Sequence, residues 1–135
     1  AFTKYQNIHD LPSHISLLIV DDNALNVLYL KQFFTGLTEV WSANNGLEAL
    51  EIIKNQVIDL VITDINMPIM SGDELLVQVR SYKEFNSIKL IATSSDNKQV
   101  KKLEVAHSCY FDGILTKPFN EKDLVRTIVK TLKLI

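Results

Sequence analysis

The sequence predicts an α/β domain built on a five-stranded parallel sheet, doubly wound by helices on both faces. Three observations carry the prediction. Short runs rich in apolar and β-branched residues recur along the chain, as at Leu17-Leu18-Ile19-Val20 and Leu60-Val61-Ile62, and such runs suit strands buried on both faces. Amphipathic stretches of helical length separate them, most opened by a capping residue. The connections are short, so successive strands join through right-handed crossovers and run parallel. The 135 residues fit one domain with a core.

Taken in order, residues 1–15 read as a linker or an N-terminal arm packed on a domain of residues 16–135. Their two histidines, His9 and His14, lack neighbours at metal-site spacing. The first strand covers residues 16–20 and ends in Asp21-Asp22. A helix follows over 24–35, with Asp22 or Asn23 as N-cap and Gly36 as its C-terminal glycine. Residues 38–43 read as the second strand. Asn45 and Glu48 form a capping box for a helix to about Lys54. The third strand runs into Asp64, and Pro68 forbids its continuation. Ser71 and Glu74 make another capping box, and Leu75, Leu76 and Val79 give that helix its apolar face. The fourth strand spans 88–93. Asp96 opens a helix expected to reach about Ser108. The fifth strand spans 111–116 and Pro118 halts it. Asn120 starts the last helix, whose Leu124, Ile128 and Leu132 repeat every four residues.

Composition excludes several classes. The net charge is −2, so nothing suggests a nucleic-acid or membrane surface. No apolar run approaches the roughly 20 residues that span a bilayer, and no signal peptide is visible; the expectation is a cytoplasmic domain. The one cysteine, Cys109, rules out an internal disulfide; in a helical pattern it reads as a small core residue. Neither GxGxxG nor GxxxxGK[ST] occurs, which argues against a dinucleotide or P-loop site. The chain opens Ala1-Phe2-Thr3 with no initiator Met, as a fragment or a processed protein would.

The strand ends carry the chemistry. The first supplies Asp21 and Asp22, the third Asp64, the fourth Thr93-Ser94 and the fifth Lys117. In a parallel sheet these ends share one edge, where ligands bind. Three converging carboxylates repel one another unless a cation joins them. Oxygen ligands suit Mg²⁺. An ammonium and a hydroxyl beside that ion suit a phosphoryl group. No Ser-His or Cys-His pair is evident, so the candidate nucleophile is a carboxylate, which can form an aspartyl phosphate.

Val20-Asp21-Asp22-Asn23, Asp64-Ile65-Asn66-Met67-Pro68 with Gly72, Ala92-Thr93-Ser94 and Lys117-Pro118-Phe119 occur in that order on successive strand ends. Together they make the chain resemble a response-regulator receiver domain of two-component phosphorelays, over nearly all its length. The resemblance implies a flavodoxin-like three-layer sandwich. It implies Asp64 as phosphoacceptor, Asp21 and Asp22 as the acidic pair on Mg²⁺, and the Asn66 backbone carbonyl as a further ligand. It implies Lys117 as the contact to the phosphoryl group, Thr93 as the switch hydroxyl, and a cis Lys117-Pro118 bond. The partner it implies is a histidine kinase or histidine phosphotransfer protein. That partner would dock on the first helix, where Leu25, Leu28 and Tyr29 point away from the Val27, Leu30, Phe34 stripe. The domain would be a signalling acceptor with self-phosphorylation and slow self-dephosphorylation chemistry, not a turnover enzyme. Asn26 after Asp21-Asp22-Asn23 is similar to receivers of hybrid histidine kinases, whose kinase activity would lie in another part of the protein.

Two departures stand out. Ile114 occupies a position that often holds Tyr or Phe, so an aromatic rotamer switch is not expected. Tyr110 lies where a glycine often precedes the fifth strand. An alternative, a phosphatase of the haloacid-dehalogenase type, needs an acid two residues after the nucleophile, and Asn66 stands there. A degenerate receiver is disfavoured by the complete acidic and lysine set, and a flavodoxin-like cofactor binder by the lack of a phosphate-binding glycine loop.

Overall fold

The computed structural model describes residues 4–37, 39–95, 104–106 and 109–134. In chain order the elements are β1 (Ser16–Val20), α1 (Ala24–Lys31), β2 (Glu39–Ala43), α2 (Gly46–Asn55), β3 (Leu60–Asp64), α3 (Gly72–Arg80), β4 (Lys89–Ser94), β5 (Glu104–Ala106), β6 (Cys109–Tyr110), β7 (Gly113–Thr116) and α4 (Glu121–Thr131). Short 3-10 turns occupy Ile8–Asp10, Gln32–Phe34 and Lys83–Phe85. Five strands form one parallel sheet in the order β2-β1-β3-β4-β7. The order reverses between β1 and β3, and in such sheets the crevice at the reversal is where ligands bind.

Residue alternation sorts the core into two layers, because successive strand side chains point to opposite faces. Leu17, Ile19, Leu60, Ile62, Ile91 and Leu115 meet Leu30 and Phe34 on the α1 side and Leu124, Val125 and Ile128 of α4. Leu18, Val20, Val61, Leu90 and Ala92 meet Ala49, Leu50 and Ile53 of α2 and Leu75, Leu76 and Val79 of α3. Ile8, Leu11 and Ile15 are buried in the α1 and α4 layer, and the Glu121 carboxylate accepts the Ile8 N–H at 3.0 Å. Through Ile8, Leu11 and Ile15 the stretch before β1 packs on that layer.

The helix starts follow the capping chemistry. Asn23 accepts from the Leu25 and Asn26 N–H groups, and Asn45 from that of Glu48. Ser71 with Glu74 and Asn120 with Asp123 form reciprocal capping boxes. At the far end of α3, the Arg80 guanidinium donates to the Phe85 and Ile88 carbonyls and to Asp112. Asp112 also accepts the Leu90 N–H at 2.9 Å. This partly buried pair ties α3, β4 and the entry to β7 together.

The first helix is shorter than the pattern over 24–35 predicts; after Lys31 it tightens into the Gln32–Phe34 turn, as helix ends commonly do. Two expectations are corrected. The helix predicted to reach Ser108 lies partly outside the described residues, and its Glu104–Ala106 portion is a strand, antiparallel to Cys109–Tyr110. A two-residue link between Ala106 and Cys109 favours hairpin pairing, and Val105 and Tyr110 are β-prone types. Four α-helices are therefore present among the described residues, where five were expected. The fifth strand of the sheet begins at Gly113, not at 111, so a glycine does open it and Tyr110 belongs to the preceding ribbon. A Cβ at Gly113 would meet the Thr131 hydroxyl at 2.6 Å, which explains the glycine.

Candidate functional site

β1 and β3 are neighbours, with Val20 opposite Thr63. Asp21 directly follows β1 and Asp64 ends β3, so the topology alone brings them to one mouth. Carboxylate oxygens of Asp21, Asp22 and Asp64 lie within 4.8 Å of one another. Asp21 is buried and Asp22 exposed, while Asp64 lies between these extremes. The backbone orients two of them: Asp21 accepts the Asn23 N–H at 2.9 Å, and Asp64 accepts the Ile65 N–H at 2.9 Å.

Lys117 reaches this group from the end of β7. Its Nζ is 3.4 Å from Asp21 and 3.8 Å from Asp64. Its own N–H donates to the Ser94 carbonyl at 2.7 Å, and the Lys117-Pro118 bond is cis. Thr93 lies in register with Asp64 on the neighbouring strand. It is buried, and its hydroxyl donates to the Thr63 carbonyl at 3.4 Å. Asn66 sits two residues beyond Asp64, exposed in the turn.

That turn is shaped by two glycines. The Gly72 N–H donates to the Ile65 carbonyl and the Gly46 N–H to the Met70 carbonyl. A Cβ on Gly72 would run into the Asp64 carbonyl, and one on Gly46 would meet the Met70 carbonyl at 2.8 Å. Only glycine permits these approaches. The Gly46 to Met70 link, which joins the start of α2 to the turn after β3, has no sequence signal: it pairs residues from separate connections. Ile69 adopts φ 70° with its side chain in solvent, a sterically costly choice for a β-branched residue.

Burial is the main influence on the Asp64 carboxyl and pushes its pKa above the ordinary carboxylate range. The Lys117 ammonium opposes that shift, Asp21 reinforces it, the Ile65 N–H opposes it and Asp22 reinforces it. Among the described residues one ammonium faces three carboxylates, so this group carries excess negative charge. An all-oxygen donor set with that charge fits a hard divalent cation such as Mg²⁺. Cys109 is a free, half-buried thiol, and His9 and His14 are exposed, outside this cluster.

Leu30 of α1 and Phe34 of the 3-10 turn that follows it are buried, and Val27 packs against the same core. Leu25 is 74% exposed, Leu28 62% and Tyr29 42%. The described part of the arm therefore leaves the two leucines uncovered. Ile114 is half-buried near the end of the sheet. No helix among the described residues is long and apolar enough to cross a membrane.

Comparison with known proteins places these features in a family. The family model described as response regulator receiver domain matches residues 17–129. Hybrid signal transduction histidine kinase D of Dictyostelium discoideum is 31% identical over 134 residues, covering 97% of this chain and 8% of the kinase. Sensor protein EvgS of Escherichia coli K12 is 37% identical over 123 residues, covering 90% of this chain and 10% of EvgS. The chain thus spans about a tenth or less of the length of these curated relatives. Among solved structures, chemotaxis response regulator CheY4 of Vibrio cholerae superposes with TM-score 0.77 at 27% identity, covering 88% of this chain and 99% of CheY4. The receiver domain of Ssk1 from Saccharomyces cerevisiae, crystallised with the histidine phosphotransfer protein Ypd1, gives TM-score 0.74 at 28% identity, covering 88% of this chain and 89% of that one. The receiver domain of sensor histidine kinase PA1611 from Pseudomonas aeruginosa, with magnesium in its active-site cleft, shares the fold at TM-score 0.77 and 20% identity, covering 89% of this chain and 98% of that one.

Proposed function

The chain belongs to the response regulator receiver domains of two-component signalling, and from that premise we propose that Asp64 accepts a phosphoryl group from a phosphohistidine on a partner protein. One observation carries the reading: three carboxylates from two neighbouring strand ends converge within 4.8 Å, and Lys117 reaches two of them. A partly buried carboxylate with a raised pKa is a stronger nucleophile once ionised than one in water.

In the proposed step an Asp64 oxygen attacks phosphorus. An O–P bond forms, the N–P bond to the partner's imidazole breaks, and the imidazole nitrogen leaves with the electron pair and gains a proton from solvent. Asp21, Asp22, Asp64 and the Asn66 carbonyl would hold Mg²⁺, which when bound neutralises charge on the phosphoryl oxygens. Lys117 supplies a second positive charge at the same oxygens. Thr93 leaves the Thr63 carbonyl and donates to a phosphoryl oxygen, drawing the end of β4 inward; this local exchange biases the domain between two shapes. With Ile114 apolar at the adjacent strand, the change runs through Thr93 and not through an aromatic rotamer. The partner is a histidine kinase or a histidine phosphotransfer protein that docks on Leu25, Leu28 and Tyr29, since exposed apolar clusters mark interaction surfaces. The domain lies in the cytoplasm and regulates an output or passes the phosphoryl group on.

The test is incubation with acetyl phosphate and Mg²⁺ followed by intact-mass measurement. We expect one phosphoryl group per chain, none in Asp64→Asn and none in excess EDTA. Label retained in either control overturns the assignment.

A further inference from the structure

Between α1 and the segment carrying Lys117 lies a cavity of about 460 Å³, lined by Asp21, Asn26, Leu30, Lys117 and Pro118 among others. Tyr29 and Phe119 line it too. The phenol donates to the Phe119 carbonyl at 2.7 Å. The ring meets that of Phe119 edge-on, with centroids 5.7 Å apart, and that of Phe33 at 5.2 Å and 87°. On its other flank the segment is held by the Lys117 N–H on the Ser94 carbonyl. Lys117, Pro118 and Phe119 are thus held from β4 at one end, and from α1 and the start of α4 at the other.

We propose that Tyr29 is a positioning residue: its hydroxyl bond to Phe119 sets where the Lys117 ammonium stands between Asp21 and Asp64. This inference rests on the receiver reading above. The Lys117 side chain spans 3.4 to 3.8 Å contacts to two carboxylates, a tolerance that a small shift of its backbone would consume. The peptide plane that carries the Phe119 carbonyl is held on its N–H side by the Asn120 N–H on the Asp123 carboxylate at 3.1 Å. The Tyr29 bond ties its carbonyl side to α1, so the spacing between α1 and this segment is set by the phenol as well as by ring packing. Tyr29 also stands with Leu25 and Leu28 on the outward side of α1. A partner seated there would cover the Tyr29 ring and hold the strut in place, so docking and Lys117 placement share one residue.

Tyr29→Phe in the whole chain tests this, because it keeps both ring contacts and deletes only the donor. With acetyl phosphate and Mg²⁺ saturating, the labelling rate is expected to fall about fivefold, the ratio one net hydrogen bond supports. The Mg²⁺ concentration for half-maximal labelling should stay within about twofold, since no carboxylate is moved. In the metal-free chain, the ¹⁵Nζ resonance of Lys117 should shift while the melting temperature holds within a few degrees. A labelling rate unchanged in Tyr29→Phe overturns the proposal and leaves Tyr29 as a docking residue only. A slower rate with an unmoved Lys117 resonance overturns it as well. Failure of the receiver reading looks different: the unsubstituted chain itself takes no label, and both proposals fall.

Discussion

At Asp64 burial and charge act on the same carboxyl group from several sides. Burial and the two neighbouring aspartates raise its pKa, and Lys117 only partly offsets them. A raised folded-state pKa means the native chain holds that proton more tightly than the unfolded chain. The associated stability is full below the ordinary carboxyl value of 3.8 and is lost as pH rises through the raised value. Ionised Asp64 is therefore a cost at neutral pH. Asp64→Asn should melt at a higher temperature than the unsubstituted chain at pH 7 in EDTA, and the gap should close as pH falls below 4; calorimetry at several pH values measures it. Gly72 sets a different constraint, because a Cβ there would strike the Asp64 carbonyl and lie 3.0 Å from the Ile65 Cα. Gly72→Ala should cost about 1–3 kcal/mol, the range for overpacking, read by urea denaturation. It should slow acetyl phosphate labelling too, because the backbone that must yield belongs to Asp64.

Among the elements, α1 has two faces with separate tasks. Leu30, with Phe34 of the turn that follows, buries against the sheet while Leu25 and Leu28 stay in solvent. Leu28→Asp removes an exposed apolar side chain, so the fold should keep its stability within about 0.5 kcal/mol. Phosphotransfer from the partner protein should fall at least about tenfold, a docking loss of roughly 1.4 kcal/mol. Labelling by acetyl phosphate should stay near the unsubstituted rate, since a small donor needs no patch. Parallel measurement of the two rates decides the matter: equal falls place Leu28 in the fold, and no fall places the partner elsewhere.

For the whole molecule, three carboxylates crowd one ammonium, among the described residues, at one edge of a sheet covered on both faces. The interior cannot relieve that excess, because the strands behind it are apolar throughout, from Leu17 to Val20 and from Leu60 to Ile62. A divalent cation that binds the folded chain and not the unfolded one should stabilise it by mass action, about 2.7 kcal/mol at a hundredfold excess over Kd. The melting temperature should rise with Mg²⁺ and return to its starting value in EDTA. The rise should shrink in Asp21→Ala, which removes one of the converging carboxylates; a full rise in that variant counts against the proposed metal site.

The sequence by itself determined the chain order of the five sheet strands and of the four described α-helices, the capping residues that open those helices and the candidate residues at the strand ends. Those depend on local propensity, period-two burial and short connections, all of which act between near neighbours in the chain. Asp21, Asp64 and Lys117 could be picked out for that reason, each being a polar group at the end of an apolar run. Tertiary structure alone decided which distant residues meet. The Tyr29 phenol on the Phe119 carbonyl joins residues ninety positions apart, and the Gly46 N–H on the Met70 carbonyl joins two separate connections. Neither leaves a pattern in composition or spacing, because each is set by how helices lean on the sheet. Helix or strand over 104–106 was decided the same way: its own pattern allowed a helix, and pairing with Cys109–Tyr110 made it a strand. Propensity is a weak prior wherever a neighbouring segment can complete a ladder, since hydrogen bonds formed with that segment outweigh the fractions of a kcal/mol that separate local preferences.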